Sequence, residues 1–127
     1  MDGSYATVAK SAMVQAIADL IDGGGGAGKL EIGTTGMAKT LVTFTFSATC
    51  GTVMNGVLTF SDFPMTEVAS AGDPDDAAEA RIRDFSDADV ITGLSVGTSA
   101  SDVILDSVSI ASGQNVTINA SPTLTKS

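Results

Sequence analysis

The 127-residue chain contains no histidine and has one cysteine, Cys50. Histidine is the usual general base and a common metal ligand, so its absence excludes Ser-His-Asp and Cys-His catalytic arrangements. One cysteine cannot form an intrachain disulfide, and without histidine it leaves too few nitrogen and sulfur ligands for a zinc site. Cys50 precedes Gly51 and is interpreted as a small apolar core residue rather than a nucleophile.

Basic residues are also scarce. The chain has 6 lysines and arginines against 15 aspartates and glutamates, which gives a net charge of −9. An acidic surface of this kind repels nucleic-acid phosphates and anionic lipids, so we expect no direct binding to nucleic acid or membrane. No apolar run is long enough to span a bilayer, and no basic segment precedes an apolar one as in a secretory signal peptide. The sequence predicts a soluble protein made in the cytoplasm.

Aromatic residues make up only 5% of the chain, so aliphatic residues must fill the core of what its length predicts to be one domain. From residue 78 to residue 124, short apolar runs alternate with polar residues at a period of two, and turn-forming residues separate them. The same alternation occurs in Lys29–Gly33, Thr40–Ala48 and Gly56–Ser61. Seven or eight such runs predict a mainly β fold, an antiparallel β-sandwich of jelly-roll type.

One segment, from Tyr5 to Ile21, predicts an amphipathic α-helix at the N terminus. Its apolar residues lie three and four positions apart and would share one face: Val8, Met13, Ala16, Ile17, Leu20 and Ile21. Ser4 is the predicted N-cap, and the glycines after Asp22 end the helix. The helix could pack against its own domain or against a partner subunit, and for the second case Val8, Met13, Ile17 and Leu20 are the candidate interface residues.

Residues 23–28 are mostly glycine and are predicted to form a flexible hinge. The predicted organisation is therefore a helical arm at 1–22, the hinge at 23–28 and a β-sandwich domain at 29–127. Gly28 and Lys29 complete most of a phosphate-binding loop pattern, but Leu30 replaces its Ser or Thr and the helix precedes the glycines. Nucleotide binding is therefore not predicted.

Two acidic segments could carry chemistry. The first begins in a predicted surface excursion over residues 62–77 and could offer oxygen ligands to calcium, although it lacks EF-hand spacing: Asp73, Asp75, Asp76 and Glu79. The favoured interpretation is a solvated loop, or carboxylates at the start of a short helical turn. The second comprises Asp84, Asp87 and Asp89, and it is typical of a tight turn rather than of a glycosidase pair. We expect no enzymatic activity, no metal site and no cofactor.

Arg81 and Arg83 are alternate residues of one predicted strand and therefore project from the same face. The favoured interpretation is that both pair with nearby aspartates. The alternative is that both contact acidic groups of another subunit, which makes Arg81 and Arg83 further candidate interface residues.

Four segments of the C-terminal half follow one another in a distinctive order: E-A-R-I-R-D at 79–84, L-S-V-G at 94–97, D-V-I-L-D at 102–106 and S-I-A-S-G-Q-N-V-T-I at 109–118. With the N-terminal helix and the K-L-E-I-G strand, this succession resembles a recurrent family of small structural proteins of tailed bacteriophages and prophages. The likeness covers most of the chain. Members often have an aromatic residue before the arginine, where this chain has Ala80, so packing at that position differs.

The resemblance implies a virion component without enzymatic activity. By analogy of fold, it implies a jelly-roll cement or decoration protein that stabilises the head by bridging capsid subunits. The implied partners are the major capsid protein or other virion proteins and further copies of the chain, with a trimer favoured, and the implied location is the virion. The alternatives are a tail, collar or fibre-associated virion protein, or a calcium- or carbohydrate-binding sandwich that uses the Asp73–Glu79 loop.

Overall fold

The computed structural model describes residues 4–70, 75–119 and 121–125. In these residues one α-helix is followed by twelve strands, several of them only two residues long, and by one short 3₁₀ turn at Thr35–Met37. The elements are α1 (Thr7–Asp22), β1 (Lys29–Gly33), β2 (Thr40–Thr45), β3 (Gly51–Met54), β4 (Val57–Phe60), β5 (Met65–Val68), β6 (Asp75–Asp76), β7 (Glu79–Arg83), β8 (Asp89–Gly97), β9 (Val103–Ile104), β10 (Ser109–Ile110), β11 (Asn115–Ile118) and β12 (Thr123–Thr125).

The largest sheet has five strands in the order β2-β1-β7-β8-β9. Its neighbours are antiparallel except β8 and β9, which run parallel where Val96 and Gly97 pair with Val103 and Ile104. A three-stranded sheet, β12-β4-β3, and the pairs β10-β6 and β11-β5 complete the fold. The large sheet curls into a half-barrel, and the predicted mainly β, sandwich-like fold with one N-terminal helix is confirmed.

The core lies between the sheets and is built from the inward side chains of alternating strands. In β2 and just after it, Val42, Phe44 and Phe46 are buried, whereas Thr45 is exposed, as the alternation predicted. The ring of Phe46 stacks on that of Phe60 in β4, with ring centroids 5.3 Å apart. This contact connects the end of the large sheet to the three-stranded sheet, so these two aromatic rings lie where the layers meet.

The helix α1 packs against its own domain, which was one of the two alternatives. Val14, Ala18 and Ile21 are buried in the same core as the strands. The predicted apolar stripe was therefore wrong in part, because Val8 and Leu20 are 78% and 61% exposed. The helix carries apolar residues around most of its circumference, so periodicity could not determine which face is buried. The face of α1 that packs on the strands has the small Ala18 between two larger side chains. The small side chain allows the helix backbone to approach the strands closely.

The ends of the helix also differ from the prediction. The helix begins at Thr7 with Ala6 as N-cap, and no side chain caps it, so the predicted N-cap Ser4 was wrong. The Ser11 hydroxyl instead accepts a hydrogen bond of 2.8 Å from the N–H of Gly56, in the turn between β3 and β4. The second turn of α1 is thus anchored through a tertiary contact, whereas no side chain caps the first turn.

The glycine segment at 23–28, predicted as a flexible hinge, is packed against the rest of the fold. The hydroxyl of Ser86 donates a hydrogen bond of 2.8 Å to the carbonyl oxygen of Gly24. Gly28 is buried, and a Cβ placed there would collide with the side chain of Ile21 and come within 3.1 Å of the carbonyl oxygen of Arg83. The missing side chain at Gly28 therefore permits close packing of the connection between α1 and β1.

Two predicted irregular segments contain strands. The predicted turn at Thr52–Asn55 is mostly β3, which forms a hairpin with β4, and Asn55 and Gly56 form its turn with φ of 52° and 80°. The predicted surface excursion over 62–77 contains β5 and β6, which pair with β11 and β10. Asp75 and Asp76 belong to β6, so the predicted helical turn was wrong. Gly72, Asp73 and Pro74 lie outside the described residues.

We expect Ile21→Ala to lower the free energy of unfolding by about 2 to 5 kcal/mol, because it removes a fully buried side chain and leaves a cavity. The neighbouring Leu20→Ala is the matched control, since Leu20 is exposed, and should change stability by less than about 0.5 kcal/mol. Urea unfolding measured by circular dichroism tests both. Equal losses for the two variants would contradict the observed orientation of α1.

Candidate functional site

The outward side of α1 carries a continuous apolar strip, which we call the outer helix face. It consists of four exposed residues at intervals of four, Val8, Ala12, Ala16 and Leu20. Such spacing places the side chains in one row along the helix. The two alanines leave the middle of the row flat, and the hydrogen bond of 2.9 Å from Gln15 Nε2 to Asp19 Oδ1 lies beside the row.

The four helix residues predicted as interface candidates differ in their exposure. Val8 and Leu20 belong to the outer helix face and are available for contact. Ile17 is half-buried and packs against the core, and Met13 is half-buried at the border of the face. A partner on this surface would therefore contact mainly Val8 and Leu20, with the alanines between them.

Arg81 and Arg83 lie on the face of the large sheet opposite the core, in a row that we call the charged ladder. Arg81 Nε donates a hydrogen bond of 2.7 Å to Glu31 Oε1, on the neighbouring strand β1. Arg83 Nε lies 2.8 Å from Asp89 Oδ1, and its Nη1 lies 3.6 Å from Glu31 Oε1. The predicted pairing with aspartates is confirmed for Arg83 and wrong for Arg81, whose partner is Glu31.

Lys29 and Asp87 extend the charged ladder through a further ion pair. Lys29 lowers the pKa of Asp87, first through the hydrogen bond and then through its charge. The ladder now contains three cations and three carboxylates, Lys29, Arg81 and Arg83 against Glu31, Asp87 and Asp89, so its charges cancel. It is a neutral, internally paired surface rather than an anion-binding patch.

The acidic segment at 84–89 is the tight turn that was favoured for it. Asp84 Oδ1 accepts a hydrogen bond of 2.9 Å from the N–H of Ala88, and the N–H of Asp84 donates one of 3.0 Å to the Ala88 carbonyl oxygen. Asp87 adopts a φ of 66° at the corner. The carboxylates thus hold the turn and the charged ladder, and they do not enclose a substrate site.

The other acidic segment is spread over two strands. Asp75 and Asp76 are exposed in β6, and Asp75 Oδ2 lies 4.0 Å from Lys39 Nζ. Glu79 Oε1 accepts a hydrogen bond of 3.3 Å from the N–H of Gly36. Within 4–70, 75–119 and 121–125, no group of three or more acidic, cysteine or histidine side chains could hold a metal ion. Asp73, the remaining predicted calcium ligand, lies outside these residues.

Cys50 is fully buried beneath α1, which confirms its interpretation as a core residue. Its N–H donates a hydrogen bond of 2.9 Å to Asp22 Oδ1, at the last residue of the helix. Burial, together with the nearby Asp22 carboxylate, raises the pKa of the thiol from 9.0 to about 12. A thiol in this state is protonated at neutral pH and is not a nucleophile.

One further feature was not found from the sequence. A cleft enters the sandwich where β8, β9 and β12 meet, and its walls come from segments as distant as Leu30 and Leu124. No local motif identifies such a site, because it exists only when the sheets are assembled.

Comparisons with protein-family models, with curated proteins and with solved structures found no match. In the described part of the chain, no helix is both long and apolar enough to cross a membrane. The function must therefore be argued from the surfaces of this molecule.

The raised pKa of Cys50 predicts a loss of stability in alkali. Above about pH 9 the exposed thiol of the unfolded chain ionises while the folded thiol keeps its proton, so the unfolded state binds fewer protons. The free energy of unfolding should fall as the pH rises from about 9 towards 12. Cys50→Ala should weaken this decrease, as measured by urea unfolding at a series of pH values. An unchanged slope in the variant would assign the decrease to other groups.

In the charged ladder, neutralising Glu31 and neutralising Asp87 should lower the free energy of unfolding by different amounts. Glu31 is only 12% exposed and serves both arginines, so Glu31→Gln should lower the free energy of unfolding by about 1 to 3 kcal/mol. Asp87→Asn breaks an exposed pair with Lys29 and should have a much smaller effect. Urea unfolding at neutral pH compares them, and an Asp87→Asn loss as large as that of Glu31→Gln would contradict the central position of Glu31.

Proposed function

We propose that this chain is a structural subunit of a bacteriophage virion, and specifically a capsid cement or decoration protein that stabilises the head by bridging capsid subunits. The observation that carries the proposal is the outer helix face. It is an apolar surface on a rigid support, in a chain whose polar groups form no catalytic constellation among the described residues.

The outer helix face has the properties of a protein-binding surface. Exposed apolar side chains in a continuous row are a common mark of interfaces. The opposite side of the same helix is anchored by Val14 and Ile21, which are fully buried. A surface held in this way loses little conformational freedom when a partner binds, which favours association.

The segments that carry the family resemblance also support a structural role. E-A-R-I-R-D covers β7, D-V-I-L-D covers β9, and S-I-A-S-G-Q-N-V-T-I covers β10 and β11. They supply strands and core residues such as Ala80, Val103 and Val116. A family defined by such segments shares the strands and core of a fold rather than a catalytic site, which is consistent with a structural subunit of a virion.

The charge distribution favours protein partners. Four of the basic residues, Lys29, Lys39, Arg81 and Arg83, lie within ion-pair distance of acidic groups of the same chain. Little positive charge is left to attract nucleic acid, while the outer helix face offers apolar area. The partners we propose are the major capsid protein or other virion proteins, and further copies of this chain in a trimer.

Light scattering after size exclusion, followed by co-sedimentation with empty capsids of the source phage, tests this function. We expect a trimer that pellets with the capsids. Leu20→Asp should weaken capsid binding by at least about tenfold, or about 1.4 kcal/mol, if the outer helix face makes the contact.

The matched control is Val68→Asp on β5, since Val68 and Leu20 are 60% and 61% exposed. This variant should pellet like the original protein. A monomer that does not sediment with capsids would contradict the proposed role, and equal weakening by both variants would contradict the assignment to the outer helix face.

A further inference from the structure

Two adjoining cavities open where β8, β9 and β12 meet, at one end of the sandwich. The inner cavity has a volume of about 180 Å³ and lies between the five-stranded and three-stranded sheets. Apolar side chains of both sheets form its walls, among them Leu30, Ile91 and Leu94 on one side and Phe60 and Leu124 on the other. Three of these are half-buried and two are buried, so the cavity extends from the surface into the core.

The outer cavity has a volume of about 270 Å³ and a mainly polar lining that includes Ser101 and Ser121. Asp102, Pro122 and Thr123 line both cavities, so the two form one cleft. Its inner part is apolar and its mouth is polar. An occupant that satisfies both parts must be amphipathic, with a hydrocarbon body inside and a polar group at the junction.

The size of the inner part limits the hydrocarbon body. An apolar cavity of about 150 Å³ lined by leucine, isoleucine and phenylalanine holds one benzene molecule. The inner cavity here, at about 180 Å³, is open to the surface and is lined by Asp102 and Thr123 as well as by apolar side chains, and its volume can hold one six-membered ring or a short branched alkyl group.

Asp102 determines the charge of the polar group, since it is the only charged residue among the described residues that line the cleft. Its Oδ2 accepts hydrogen bonds from the N–H and the hydroxyl of Ser95, at 2.9 and 3.1 Å, which hold the carboxylate in place. Among the residues that the structure describes, no lysine or arginine forms an ion pair with it. Asp102 is exposed, and its carboxylate beside an apolar cavity attracts a cation and repels an anion.

We propose that this cleft binds a small organic cation, an ammonium group attached to a hydrocarbon body about the size of one benzene ring. The ring occupies the inner cavity and the ammonium group lies at Asp102. This binding is independent of any role in a virion, because it depends on residues that the outer helix face does not include.

Three probes that share one ring and differ in charge test the proposal: benzylamine, benzyl alcohol and benzoate. Each is titrated at neutral pH and constant ionic strength into the ¹⁵N-labelled full chain, and amide shifts are followed by NMR. We expect saturable shifts for benzylamine at Leu94, Asp102, Val103 and Thr123. Benzoate should bind at least about tenfold more weakly, and benzyl alcohol should be intermediate.

Asp102→Asn should remove the preference for benzylamine over benzyl alcohol. Asp106→Asn is the matched control, because it removes the same charge from an exposed residue that does not line the cleft. Leu94→Phe should weaken binding of all three probes by filling the inner cavity, and Leu124→Phe does the same from the opposite sheet. Urea unfolding identifies which of the two filled variants is folded and usable.

The proposal is overturned if the three probes bind equally, or if the shifts do not saturate or lie outside the cleft. It is also overturned if Asp106→Asn weakens benzylamine binding as much as Asp102→Asn does. That result would mean that cations gather on an acidic protein in general, rather than at this carboxylate.

Discussion

The packing of α1 on the strands is the contact on which most of the other features depend. Burial of Val14, Ala18 and Ile21 closes the core on that side and covers Cys50, whose thiol is thereby kept protonated. The same contact requires a glycine at position 28, where the chain passes closely under the helix. Because the helix is apolar on more than one face, burying one row of side chains leaves another, the outer helix face, exposed.

The charged ladder pairs three of the six basic residues of the chain with carboxylates. With a net charge of −9, the chain has few cations, and Glu31, Asp87 and Asp89 neutralise three of them on one sheet face. Outside the ladder, Asp75 lies within ion-pair distance of Lys39, and Asp102 is engaged with the backbone and hydroxyl groups of Ser95. The outer helix face and the cleft at Asp102 lie on different elements of the fold.

Sequence periodicity predicted the elements whose structure is set locally. The strand Lys29–Gly33 was predicted with the bounds it has, and the turn at 84–89 was recognised from its aspartates. The strands β5 and β6 were missed, because β5 is largely exposed and both are held by partners about 35 to 50 residues away in the chain. Of the interface candidates, Val8 and Leu20 are exposed, whereas Ile17 turned inward.

The sequence by itself determined the class of fold, the presence of one N-terminal helix and the absence of histidine chemistry, since these follow from composition and from contacts between near neighbours in the chain. Only the tertiary structure decided which row of the helix is buried, which carboxylate pairs with Arg81, and that distant segments around Leu30 and Leu124 enclose a cleft. Each of these outcomes depends on how distant segments pack and on the register of the paired strands. A short segment of sequence determines neither the packing nor the register.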